Sequence, residues 1–114
     1  MGNNSSHHKQ FVQFGTSHLQ YTNNFNGKID VPDTITHLTF GNCYNQPTNN
    51  LPHNITHLVF GDNYDQVTNN LPPSIMHLTF TIGSSYNQIT DHLPPNITHL
   101  TFGWHYNQPA WRAL

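Results

Sequence analysis

Charge is what this 114-residue chain most lacks: charged residues make up 7% of it, against roughly 25% in an ordinary soluble domain. Lys9, Lys28 and Arg112 are the whole basic inventory. Nucleic acid, whose phosphates are held by many lysines and arginines, is therefore excluded as a partner. Glutamate is absent, and the five aspartates, Asp30, Asp33, Asp62, Asp65 and Asp91, lie mostly between repeats. A paired-carboxylate acid and base site has little material to draw on. Cys43 is the sole cysteine, which excludes an intrachain disulfide and a cysteine-based zinc site. No apolar run reaches the length of a membrane span or a signal-peptide core. Secretion and stable membrane insertion are not expected, and the expected setting is cytosol or nucleus. The sequons at Asn54 and Asn96 are then by-products of repetition, since unsecreted protein meets no glycosylating enzyme.

What fills the space is Asn, Gln, Thr and His, in a recurring phrase. "VPDTITHLTF" begins at Val31, "LPHNITHLVF" at Leu51, "LPPSIMHLTF" at Leu71 and "LPPNITHLTF" at Leu93. A degenerate copy, "SHLQYTNNFN", starts at Ser17, its Leu19, Tyr21 and Phe25 matching Leu38, Phe40 and Tyr44. His18, His37, His57, His77 and His99 are thus spaced by 19, 20, 20 and 22 residues, a period that means a solenoid. The two extra residues fall in "TIGSSY" (81–86), where other copies read "GNCY", "GDNY" and "GWHY", so they belong to a turn.

Each copy repeats its apolar positions, for example Leu51, Ile55, Leu58, Phe60, Tyr64 and Val67. "THLTF" alternates polar and apolar residues, the period of a half-buried strand with Leu38 and Phe40 inward and His37 and Thr39 outward. Proline after each leading Leu or Val, and Asn, Gly and Thr later, leave no uninterrupted helical period. The expected fold is all-β, a solenoid with one short parallel strand per coil of about 20 to 22 residues and little or no helix. The expected layout is a polar disordered tail over 1–10 and one solenoid domain over 11–114. The domain comprises a cap at 11–16, the degenerate repeat at 17–30, and repeats at 31–50, 51–70, 71–92 and 93–114. Trp104, Trp111 and Leu114 read either as folding over the last coil or as part of a repeat array that continues.

The spacing Ile-x-x-Leu-x-Phe preceded by Leu-Pro resembles leucine-rich repeats, and the fuller pattern "LPxxITHLTFGxxYNQ" resembles the FNIP (IP22) repeat. That family is found in amoeboid protists and in giant viruses that infect amoebae. The likeness covers 31–109 strongly and 17–30 weakly. It implies a leucine-rich-like solenoid and a role in protein recognition, because such repeats often follow an F-box as the substrate arm of a ubiquitin ligase. The sixteen residues before the first copy here are too few for an F-box.

Two columns of side chains are candidate sites. His18, His37, His57, His77 and His99, with Thr39, Val59, Thr79 and Thr101 beside them, run up the outer strand face. They read either as a flat polar binding stripe or as an in-register ladder that serves strand pairing alone. Stacked imidazoles resist charging together, so their pKa values are expected below the ordinary value. Imidazoles in one column all point the same way and cannot close a tetrahedron around a metal, so no metal and no cofactor is expected. Asn45-Gln46, Asp65-Gln66, Asn87-Gln88 and Asn107-Gln108 are expected to form a second, buried ladder that satisfies turn backbone. "MGNNSS" fits the myristoylation pattern at Gly2, although one acyl chain alone anchors weakly. The function expected is a non-catalytic scaffold for an unidentified protein partner. The alternative is a structural element whose open ends stack chain on chain.

Overall fold

A computed structural model describes residues 10–90 and 92–108. The expectations at Gly2, Trp111 and Leu114 lie outside the described residues. Six strands form one sheet in chain order: β1 (Phe11–Phe14), β2 (His18–Tyr21), β3 (His37–Thr39), β4 (His57–Phe60), β5 (His77–Phe80) and β6 (His99–Thr101). β2 to β6 are all parallel and in equal register, His18 beside His37, His57, His77 and His99. No helix occurs among the described residues. The molecule is an all-β solenoid.

Each coil turns at two fixed places. After the Leu-Pro step, the amide N–H of Ile35, Ile55 and Ile75 donates to the carbonyl of Pro32, Pro52 and Pro72. After the strand, that of Tyr44, Tyr64 and Tyr106 donates to Gly41, Gly61 and Gly103. The second turn brings backbone onto backbone: a Cβ on Gly61 would lie 2.3 Å from the Gly41 carbonyl oxygen, closer than any side chain tolerates. The fourth copy has Thr81 there, and its turn closes from the Ser84 amide to the Thr81 carbonyl, two residues before Tyr86. The Thr81 hydroxyl donates to the Asp62 carboxylate, and the buried Ser84 hydroxyl accepts from the Tyr86 amide at 3.0 Å.

Between coils, Ser17, Thr36, Thr56 and Met76 each offer one carbonyl to two amides of the next coil, as Thr36 does to Thr56 and His57 at 2.8 and 3.1 Å. Inside, Leu19, Leu38, Leu58 and Leu78 form one buried row, Ile35, Ile55 and Ile75 a second, and Tyr21, Phe40, Phe60 and Phe80 a third. No coil buries its own apolar edge, so the rows are covered only by their neighbours. Thr48, Thr68 and Thr90 are buried and meet the hydroxyls of Tyr64, Tyr86 and Tyr106 at 3.0 to 3.2 Å. Val67, one of the repeated apolar positions, is 60% exposed, and its neighbour Thr68 points inward instead. The inner site is a hydroxyl partner for tyrosine, which valine cannot be.

β1 runs antiparallel to β2 after a three-residue turn at Gly15, where φ is 62°, a left-handed value that glycine adopts without strain. Phe11 packs edge-on against Tyr21. At the other end Trp104 is 80% exposed and does not cover the last coil. Leu100, Phe102 and Tyr106 are only partly buried, whereas their counterparts one coil earlier are fully enclosed.

The coils fan. Equivalent histidine rings lie 4.0 to 4.2 Å apart. The row Tyr21, Phe40, Phe60, Phe80 and Phe102 has spacings of 5.3 to 5.5 Å, and Tyr44, Tyr64, Tyr86 and Tyr106 of 6.0 to 6.2 Å. Hydrogen-bonded strands sit about 4.8 Å apart. Each coil is therefore a wedge, thin at the histidines, and the outer face of the sheet is concave.

Candidate functional site

The outer face is built by strand pleating. In β2 to β6 the first and third residues point away from the core, so two columns form. His18, His37, His57, His77 and His99 make one, and Gln20, Thr39, Val59, Thr79 and Thr101 the other. β1 extends both: Phe14 pairs with His18 and Val12 with Gln20, and residues directly opposite on antiparallel strands share a face. Phe14 is 57% and Val12 51% exposed. Sequence reasoning missed this apolar end, because "FVQF" does not alternate cleanly and its pairing with β2 is set by the turn at Gly15.

The five imidazoles stack nearly parallel, with interplanar angles of 8° to 14°. In four of the five rings Nδ1 shares a hydrogen bond with the hydroxyl of the preceding residue: Ser17 with His18 at 2.7 Å, Thr36 with His37 and Thr56 with His57 at 2.8 Å, Thr98 with His99 at 2.9 Å. His77 follows Met76 and lacks that hydroxyl. These preceding residues also escaped the sequence reading, which saw the histidines without what orients them. Burial, and then the neighbouring imidazoles His18 and His77, hold the pKa of His37 below its ordinary value. His57 is lowered in the same way by burial and then by His37, His77, His18 and His99. The ring nitrogens run in a line rather than converging. Among the described residues no three His, Cys, Asp or Glu side chains could share a metal ion.

The amide ladder forms, but not in the interior. Asn45, Asp65, Asn87 and Asn107 donate their amide N–H to the side-chain oxygen of Asn26, Asn45, Asp65 and Asn87, at 2.8 to 3.4 Å. Gln46, Gln66, Gln88 and Gln108 donate through Nε2 to the same four residues. These side chains are half-buried or exposed, because they bond sideways along the rim while the tyrosine row fills the space beneath. Asn26 is the first rung and was overlooked; "FN" at 25–26 stands where "YN" stands at 44–45. A second rim ladder joins Asn42 and Asp62 amides to the Asn23 and Asn42 side chains at 3.3 and 3.4 Å. The sequon residues Asn54 and Asn96 also bond across coils, to the Asp33 and Pro73 carbonyls. Cys43 is exposed, and no helix among the described residues is long and apolar enough to cross a membrane.

The model of the FNIP repeat matches residues 44–81 and 86–110, more than half of the chain. The chain belongs to the FNIP repeat family. No curated protein matches it. Among solved structures it is similar to "The crystal structure of CroV588 a novel circular LRR protein structure", with 45% identity and a TM-score of 0.72. That likeness covers 82% of this chain and 15% of the other. The FNIP chain here therefore spans a small part of that protein's length.

Proposed function

We propose that this FNIP chain is a non-catalytic scaffold that recognises a partner protein through the concave face of its sheet. The observation that carries the reading is the face itself: two in-register columns, without a charged residue on β1 to β6, ending in the exposed apolar pair Val12 and Phe14. A concave uncharged strip rimmed by half-buried hydroxyls suits contact with another protein surface more than capture of a small ion. F-box-linked members of the family extend the proposal to presenting a bound substrate for ubiquitin transfer.

The test is affinity capture from amoebal lysate by three proteins: wild type, a Val59→Lys/Thr79→Lys variant on the concave face, and an Asn49→Lys/Asn69→Lys variant on an exposed rim. The expected outcome is a defined partner retained by wild type and the rim variant and lost by the face variant. Equal capture by all three sinks the reading. A second reading, stacking of chain ends, is favoured by the incomplete burial of Leu100, Phe102 and Tyr106 on the last coil.

A further inference from the structure

Among the described residues, neither outermost strand is covered. β1 pairs only with β2, and β6 only with β5, among the described residues. Free strand edges template pairing, and soluble proteins guard them with charge, proline or bulges. β1 reads Phe-Val-Gln-Phe and β6 His-Leu-Thr, with none of these guards. Behind the β6 edge stand Leu100, Phe102 and Tyr106, partly buried. Behind the β1 edge lies a pocket of about 450 Å³ floored by Phe11, Tyr21 and Phe25 and rimmed by Lys28, Asp30 and Pro32. One end of the molecule thus presents a ridge of apolar rings and the other an aromatic-floored hollow, and inside the chain each such ridge is already covered by the next coil.

Resting on the second reading above, we propose that copies of this chain join head to tail, the β6 edge of one pairing with the β1 edge of the next, and that the wedge-shaped coils close the series into a ring. A head-to-tail contact builds a ring if its rotation closes and a filament if it does not. The wedge supplies the rotation. Histidine and phenylalanine rings on opposite faces of a strand are separated by about 7 to 8 Å in depth, measured perpendicular to the sheet, from bond geometry. The spacing difference between 4.1 and 5.5 Å over that distance corresponds to about 10° per coil. A circle then needs on the order of thirty-five coils. The circular protein to which this chain is similar is about five and a half times as long by the coverage ratio, hence about thirty coils at the same period. Five coils and β1 span about a sixth of that circle, so the ring comprises about six copies with the histidines lining its inner side.

Size-exclusion chromatography with light scattering over a concentration series tests this. The expected product is one discrete species of about six times the chain mass of 13.0 kDa, seen as a closed ring by negative-stain microscopy. Val12→Lys/Phe14→Lys, at two exposed positions, blocks the β1 edge, and Thr101→Lys blocks the β6 edge. Each variant alone is expected to stay at single-chain mass with an unchanged melting temperature, while an equimolar mixture forms a one-to-one pair through the two intact edges. Wild type at single-chain mass throughout overturns the proposal together with the end-stacking reading. Open-ended filaments, or a dimer that survives Val12→Lys/Phe14→Lys, overturn the ring while leaving end stacking in place.

Discussion

A histidine such as His57, stacked on two others at 4.1 to 4.2 Å, resists taking up a proton, because it is partly desolvated and bringing cations that close together is costly. The lowered pKa values of His37 and His57 carry a definite sign. The unfolded chain binds protons at a higher pH than the folded one, so stability is complete above the ordinary histidine value near 6.5 and falls as pH drops below it. Thermal unfolding followed by circular dichroism should give a lower midpoint at pH 5 than at pH 7.5, and a higher one at pH 5 would contradict the stacked arrangement. Met76 breaks the row of hydroxyls that orient the stack. Met76 is 39% exposed, so Met76→Thr removes little buried surface and restores a partner for the Nδ1 of His77. The expected gain is about 0.5 to 1.5 kcal/mol, the usual net value of one hydrogen bond, measured by urea unfolding.

At the scale of the coil, the turn after each strand decides how closely copies approach. Gly41, Gly61 and Gly103 leave room for the neighbouring backbone, and that approach lets the rim amides reach across. Gly61→Ala should therefore cost about 1 to 3 kcal/mol or more as backbone is forced apart, with equilibrium unfolding as the measurement; a neutral result would mean the coils are not so tightly stacked. Asn45→Ala removes an acceptor used by both the Asp65 amide and Gln66 Nε2. Being half-exposed, that rung should cost only about 1 kcal/mol. The contrast ranks backbone stacking above the polar rim as the stronger link between coils.

For the whole molecule, the internal rows behave as single units. Burial raises the pKa of Tyr44 and Tyr86 to about 12, and that of Tyr64 further still. A raised folded value favours the neutral phenol, so stability is intact below the ordinary tyrosine value near 10 and is lost as pH climbs toward 12. Absorbance at 295 nm should show delayed tyrosine ionisation that coincides with loss of the far-ultraviolet signal. Early, independent titration of all the tyrosines would mean the row is open to solvent. The same rows, spaced more widely than the histidines, make the array curve toward its outer face.

Sequence by itself determined the all-β solenoid, the histidine register and the row of Leu38, Leu58 and Leu78, because a twenty-residue repeat with alternating polarity has one economical way to bury its apolar residues. It did not single out Thr68 beside the repeated apolar position Val67, since period alone cannot tell which of two adjacent turn residues meets the tyrosine hydroxyl. It placed the amide ladder inside, because hydrogen-bonding capacity is legible in a residue type and depth is not. Only the tertiary structure decided that Phe14 and Val12 join the outer columns, that hydroxyls orient the imidazoles, and which way the array bends. Those features depend on small differences in spacing between neighbouring coils, and such differences are set by packing across the whole cross-section rather than by any one repeat.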